Sequence, residues 1–149
     1  MKNIKTERGQ SLVELSISLV LLLLLLAGAV EFGMAFFQFV QLRDAAQEGA
    51  LYGSMNPSDT AGITARIRGA SNSPIDLTSG AVTIDISIDG IASTDGNYST
   101  VDCEGHGIKV ELTYSHHIFM PFLPQALGNR HDLPLKASVT DTILSPFVC

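Results

Sequence analysis

The chain has 149 residues, a formal net charge of −6 and no tryptophan. That acidic balance repels phosphate backbones and sets nucleic acid aside as a partner. Beside an apolar first third, the length leaves room for one small domain, whose core is modest enough to benefit from a crosslink or a partner.

Charge is unevenly placed. Lys2, Lys5 and Arg8 against Glu7 make residues 1–9 basic, while the rest of the chain carries six bases against fourteen acids. Basic residues flanking an apolar run stay cytoplasmic. Residues 1–9 therefore read as a cytoplasmic leader, and whatever follows the apolar run as extracytoplasmic. The next stretch is Arg8-Gly9-Gln10-Ser11-Leu12-Val13-Glu14, a glycine with a carboxylate five residues on.

From Leu15 to Val40 the sole ionisable residue is Glu31, and Leu21 to Leu26 are all leucine. Leu15 to Phe37 makes about 34 Å of helix, enough for a hydrocarbon core of about 30 Å. The run exceeds the apolar region of a cleaved secretory signal. Residues 15–37 are thus predicted to span a membrane, with Glu31 near the outer interface and its carboxylate snorkelling to water. The helical pattern continues amphipathically to about Tyr52, where Gly53 and then Asn56-Pro57 supply a stop. A helix over residues 10–54 exceeds one bilayer, so its outer half must pack on its own domain or on neighbouring helices. Ala29 with Gly33, and Gly49 with Gly53, have the small-xxx-small spacing that lets helices approach closely.

Glu14 has two readings. It can be a boundary residue in the headgroup layer. If instead the chain is cut after Gly9, the α-amine of Gln10 lies one turn away. A carboxylate in lipid costs about 2.5–3.5 kcal/mol, and pairing with the amine of an adjacent subunit would offset that cost and fix the axial register.

Gly9 followed by Glu14 ahead of an apolar helix resembles the cleavage motif of type IV prepilins and pseudopilins. The wording Gly9-Gln10-Ser11-Leu12-Val13-Glu14, then Val30-Glu31-Phe32-Gly33, then Arg43-Asp44-Ala45-Ala46-Gln47-Glu48-Gly49-Ala50 is similar to the TadE-like family, minor pseudopilins of Tad (Flp-type, type IVc) pilus systems. The likeness covers residues 8–53. It implies a cut by a prepilin peptidase between Gly9 and Gln10, and an assembly role for Glu14. It also implies a place in the bacterial inner membrane and partnership with other pilins, pseudopilins and the pilus assembly platform. Mature type IV pilins commonly begin with phenylalanine, whereas this chain would begin with Gln10. The competing reading is an uncleaved single-pass binding module or adhesin that keeps its leader and presents the domain beyond the helix.

That domain, residues 55–149, is expected to be a small α+β unit with a pilin-like antiparallel sheet. Thr60 to Ala70 suits a short amphipathic helix, with Ile63 and Ile67 on one face and Asp59 as N-cap. Three stretches alternate with period two and predict strands half buried on one face. These are Val82 to Ile88, Ile108 to Tyr114, and a looser one from Leu135 to Ile143. Cys103 and Cys149 are expected to form a disulfide in an oxidising compartment. The bond would close a loop of about 47 residues and contribute about 3–4 kcal/mol.

No cofactor or metal is expected. The loop 89–107 is rich in Asp and Gly but lacks the ordered calcium-binding pattern, and reads as a solvated hairpin loop. His116 and His117 would face opposite sides of a strand. His106 and His131 have no ligand spacing, so all four histidines read as surface residues. No phosphate-binding loop, Ser-His-Asp set or paired-carboxylate site occurs, so no enzymatic activity is expected. The apolar segment 117–124 either covers one end of the sheet core or forms a contact surface.

Overall fold

The structure is a computed structural model and describes residues 7–94, 101–120, 123–126 and 128–144. Residues 1–6 of the expected leader, Asp95 to Thr100 of the acidic loop, and Cys149 lie outside the described residues. The architecture is α+β: a long N-terminal helix followed by a small four-stranded antiparallel sheet.

Helix α1 runs Glu7–Met55, about 73 Å at helical rise. Helix α2 runs Thr60–Gly69. Strands β1 (Val82–Ile88) and β2 (Ile91–Ala92) form a hairpin, β3 spans Gly107–His117, a one-turn helix α3 occupies Leu123–Ala126, and β4 spans Asp132–Thr142. Sheet order is β2-β1-β3-β4. The register pairs Ile84 with Leu112 and Ile86 with Val110, and on the other side Val110 with Val139 and Leu112 with Ala137.

Alternation fixes which face is dry. Ile86 and Ile88, then Ile108, Val110 and Leu112, point into a core completed by Leu42, Ala45, Ala46 and Ala50 of α1 and by Ile63 and Ile67 of α2. Each large aliphatic side chain buried there contributes about 1.5–3 kcal/mol. The outer half of α1 thus serves as the layer on which its own sheet folds. Gln41 secures the chain between α2 and β1: its amide donates to the Ile75 carbonyl at 2.7 Å and accepts from the Ile75 N–H at 2.8 Å.

The helix outruns its expected end. Gly53 does not stop it, because a bare Cα is needed there for packing. A Cβ at Gly53 would sit 2.7 Å from Ile108 Cδ1, and one at Gly49 would sit 2.5 Å from Ile67 Cγ1. The helix breaks instead at Asn56-Pro57. Asp59 caps α2 as expected, accepting from the Gly62 N–H at 2.9 Å. That bond, then one from the Tyr52 hydroxyl, holds the Asp59 carboxyl below the ordinary range, and the same contact raises the Tyr52 phenol.

Strand β2 lies within the stretch 89–107 that reads from sequence as a solvated hairpin loop. Asp89 and Gly90 adopt φ of 48° and 88°, the two left-handed residues of a tight hairpin turn. Asp89 also accepts from His106 Nδ1 at 2.6 Å and from the Gly107 N–H at 3.0 Å. These bonds, the histidine's first, hold the carboxyl below its ordinary range.

Candidate functional site

Two regions of α1 carry the chemistry, and they differ in how much of the fold covers them. The first is the N-terminal half. From Gly9 to Leu26 every residue is exposed, including the six consecutive leucines Leu21 to Leu26. This stretch lies in a helix long and apolar enough to cross a membrane, and its most apolar window is wholly uncovered by the rest of the chain. Gly9 and Gln10 are exposed, nothing lies within 4 Å of where a Gly9 Cβ would be, and Glu14 is exposed one turn further on.

The small-residue candidates divide. Ala29 and Gly33 are exposed, and no atom lies within 4 Å of a Cβ built at Gly33. Gly49 and Gly53 are buried against α2 and β3 of the same chain. One pair therefore remains open to another molecule, and the other has already been used to seat the domain.

The second region lies where α1 first meets the sheet. Glu31 is 7% exposed and His116 is 2% exposed. His116 Nε2 lies 2.9 Å from Glu31 Oε1, and its Nδ1 lies 2.6 Å from Gln38 Oε1. The backbone N–H of Phe119 donates to both Glu31 oxygens, at 3.1 and 3.3 Å. A doubly protonated imidazole satisfies both oxygens, whereas a neutral ring suits a Gln38 amide turned end for end. Either way, a carboxylate on the helix, an imidazole on the strand and a backbone amide on the following loop form one closed polar knot.

That arrangement corrects two expectations. Glu31 does not snorkel to water, because its face of the helix is the one the domain covers. His116 is not a surface residue, because it continues the inward row of β3 past Tyr114, two residues beyond where the sequence reading ended the strand. The neighbouring His117 does face out, where it meets Asp132 at 3.1 Å, and His106 binds Asp89 as described above.

Cys103 is buried, and among the described residues no cysteine is free. Its expected partner Cys149 lies outside them. Among the described residues no group of three or more His, Cys, Asp or Glu side chains could hold a metal ion.

A protein-family model covers most of α1. Residues 9–51 match the model of TadE-like proteins. The matched residues are similar to TadE-like proteins along the long helix, from Gly9 past the buried glycine Gly49. This upholds the family resemblance read from the residues, over the long helix. No curated protein and no solved structure matches it.

Proposed function

We propose that this TadE-like chain is a pseudopilin, or minor pilin, that takes part in assembling a Tad-type pilus. In this reading a prepilin peptidase cuts after Gly9, α1 anchors the product in the inner membrane, and the sheet domain stands outside the cytoplasm. The role is structural and not enzymatic. A Cys103–Cys149 disulfide clasps the end of the domain in that oxidising compartment.

One observation carries this reading. The family match begins at Gly9, and from Gly9 to Leu26 the helix is mostly apolar and uncovered by the rest of the chain. In water an 18-residue apolar surface of this kind has no stable state of its own. In a bilayer it is solvated, and on leaving the bilayer it needs other helices. A subunit that passes from membrane to fibre meets both conditions. Glu14, alone on that surface, then pairs with the new α-amine of a neighbouring subunit.

Mass spectrometry of the protein from native membranes tests the cut. The expected product starts at Gln10, and Gly9→Leu should retain Met1–Gly9. A native protein that keeps its leader sinks the processing claim and favours a single-pass presenting module. Glu14→Leu should still be inserted and cut but should fail to enter sheared fibres, and undiminished incorporation counts against the pairing role.

A further inference from the structure

The segment after β3 does not stop at the edge of the helix's apolar surface. It lies down along it. Ile118 is buried, Phe119 is 70% exposed, and the Met120 side chain reaches Gly28, with Sδ and Cε each 3.7 Å from a Cβ built there. Met120 also shares an apolar groove with Val20, Leu23, Leu24 and Ala27. Gly28 is three residues, about 4.5 Å of helix axis, on the cytoplasmic side of Glu31. It is about 13 Å short of Phe37, the outer end of the apolar run. On the side of α1 that the domain leaves bare, Phe32 is 73%, Phe36 58% and Phe37 62% exposed. The apolar belt therefore extends well above the point that Met120 touches.

We infer that residues 118–120 are a membrane-inserted foot of the sheet domain, with Phe119 and Met120 among the acyl chains of the extracytoplasmic leaflet. This rests on the proposal that α1 spans a bilayer, and it adds that the domain is seated in that bilayer at a second place.

The polar groups at the foot fit such a solvent. Hydrocarbon offers no hydrogen bonds, so backbone groups placed in it must be satisfied by the protein. The Ile118 N–H donates to the His131 carbonyl at 2.8 Å, and the Phe119 N–H donates to the Glu31 carboxylate. Glu31 is in turn met by His116. A loop exposed to water needs none of these arrangements. The groove between foot and helix is apolar, with a volume of about 350 Å³, and Leu133 forms part of its rim while 42% exposed. That shape takes an acyl chain. Above the tip, His117 stacks edge-on with Phe119 and face-to-face with His131, and exposed Arg130 follows. Such a collar of polar and aromatic side chains suits headgroup depth, with an insertion of about 5–10 Å below it.

The chain has no tryptophan, so one introduced residue reports alone. Three full-length variants, Phe119→Trp, Leu22→Trp and Thr140→Trp, are reconstituted separately at low density into vesicles of phosphatidylethanolamine and phosphatidylglycerol. Emission is compared with and without lipids brominated near the headgroup or deep in the chain. Leu22→Trp should lose most of its emission to deep bromine, and Thr140→Trp, near the far end of β4, should keep its emission. Phe119→Trp should lose most of its emission to shallow bromine and less to deep bromine. If Leu22→Trp is quenched while Phe119→Trp behaves like Thr140→Trp, the foot is outside the bilayer, and this inference fails with the anchor intact. If Phe119→Trp emits at short wavelength yet is not quenched, protein covers the tip, and the inference fails in favour of a subunit contact. If neither Leu22→Trp nor Phe119→Trp is quenched, the anchor itself is wrong and the foot falls with it.

Discussion

Removing Glu31 should loosen the lower end of the sheet far more than removing the whole polar knot does. In Glu31→Leu, His116 remains 2% exposed with one ring nitrogen unmatched, and the Phe119 N–H loses its acceptor. Breaking a buried pair by deleting one partner costs about 3–5 kcal/mol. His116→Leu leaves a buried carboxylate held by one backbone amide and falls in the same range. The double variant Glu31→Leu/His116→Leu places two apolar side chains in an apolar setting. Its remaining defects are the Phe119 N–H, worth about 1–3 kcal/mol unsatisfied, and the half-buried Gln38 amide that has lost its His116 partner, a loss it shares with the His116→Leu single variant. The double variant is therefore expected to be more stable than either single one by about 2 kcal/mol, a coupling well outside additivity. Hydrogen exchange of the detergent-solubilised chain reads this locally, at the amides that join residues 116–118 to 131–133. Each single variant should speed exchange there about a hundredfold or more, since each 1.4 kcal/mol is a factor of ten. Single variants that exchange like the native chain, or a double variant whose acceleration equals the product of the two, would refute the assignment of Glu31 and His116 as one mutually dependent unit.

The two glycine pairs should respond in opposite ways. Gly49→Ala drives a methyl to 2.5 Å from Ile67 Cγ1, and such overpacking costs about 1–3 kcal/mol. Gly33→Ala adds its methyl in open space and should leave the thermal unfolding midpoint unchanged while lowering incorporation into fibres. Acid should weaken the domain through Asp59, Asp89 and Glu111. All three are held below their ordinary carboxylate values, chiefly by the Gly62 N–H, by His106 and by Lys109 respectively. A carboxyl with a lowered folded-state value stabilises fully above its unfolded value and loses that contribution as pH falls through the lower folded one. The unfolding midpoint should therefore be flat at neutral pH and drop below the ordinary values of 3.8 for Asp and 4.5 for Glu. In Asp89→Asn the drop should be shallower, and an unchanged acid limb would rule out Asp89 as a contributor.

Periodicity made most of this fold legible. The row Val82-Ile84-Ile86-Ile88 and the row Ile108-Val110-Leu112 each mark one dry face, and both became strands paired in register. Asp59 before an apolar i, i+4 pair gave the α2 cap. What escaped was tertiary. Gly53 reads locally as a stop, yet it is the site where Ile108 needs room, and a close approach between distant segments has no local signature. Glu31 was legible in principle. It lies seven residues before Gln38 and eleven before Leu42, on the stripe that Ala45 and Gly49 continue. Extending that stripe into the apolar run would have turned the carboxylate toward the domain and away from water. His116 needed the same step on β3, where the alternation runs on through Ile118. Neither residue is explained by its immediate neighbours in sequence, and each is explained by the other.

The knot and the bare half-helix together suggest why the helix is so long. A carboxylate within an apolar run is tolerated only if something answers it. Glu31 is answered inside the chain by His116 and the Phe119 amide, so it needs no partner from outside the chain. Glu14 is exposed, and among the described residues it has no hydrogen-bond or ion-pair partner. The same chemical group thus plays opposite parts at two heights on one helix. The upper carboxylate closes the fold and fixes where the domain sits along α1. The lower one remains open, near the end that the proposed cut after Gly9 would free. Fixing the first gives the second a defined distance and rotation relative to the domain. A subunit packed by its bare face needs that rigidity, since rotation of the domain about α1 would otherwise blur the register that a Glu14 pairing sets.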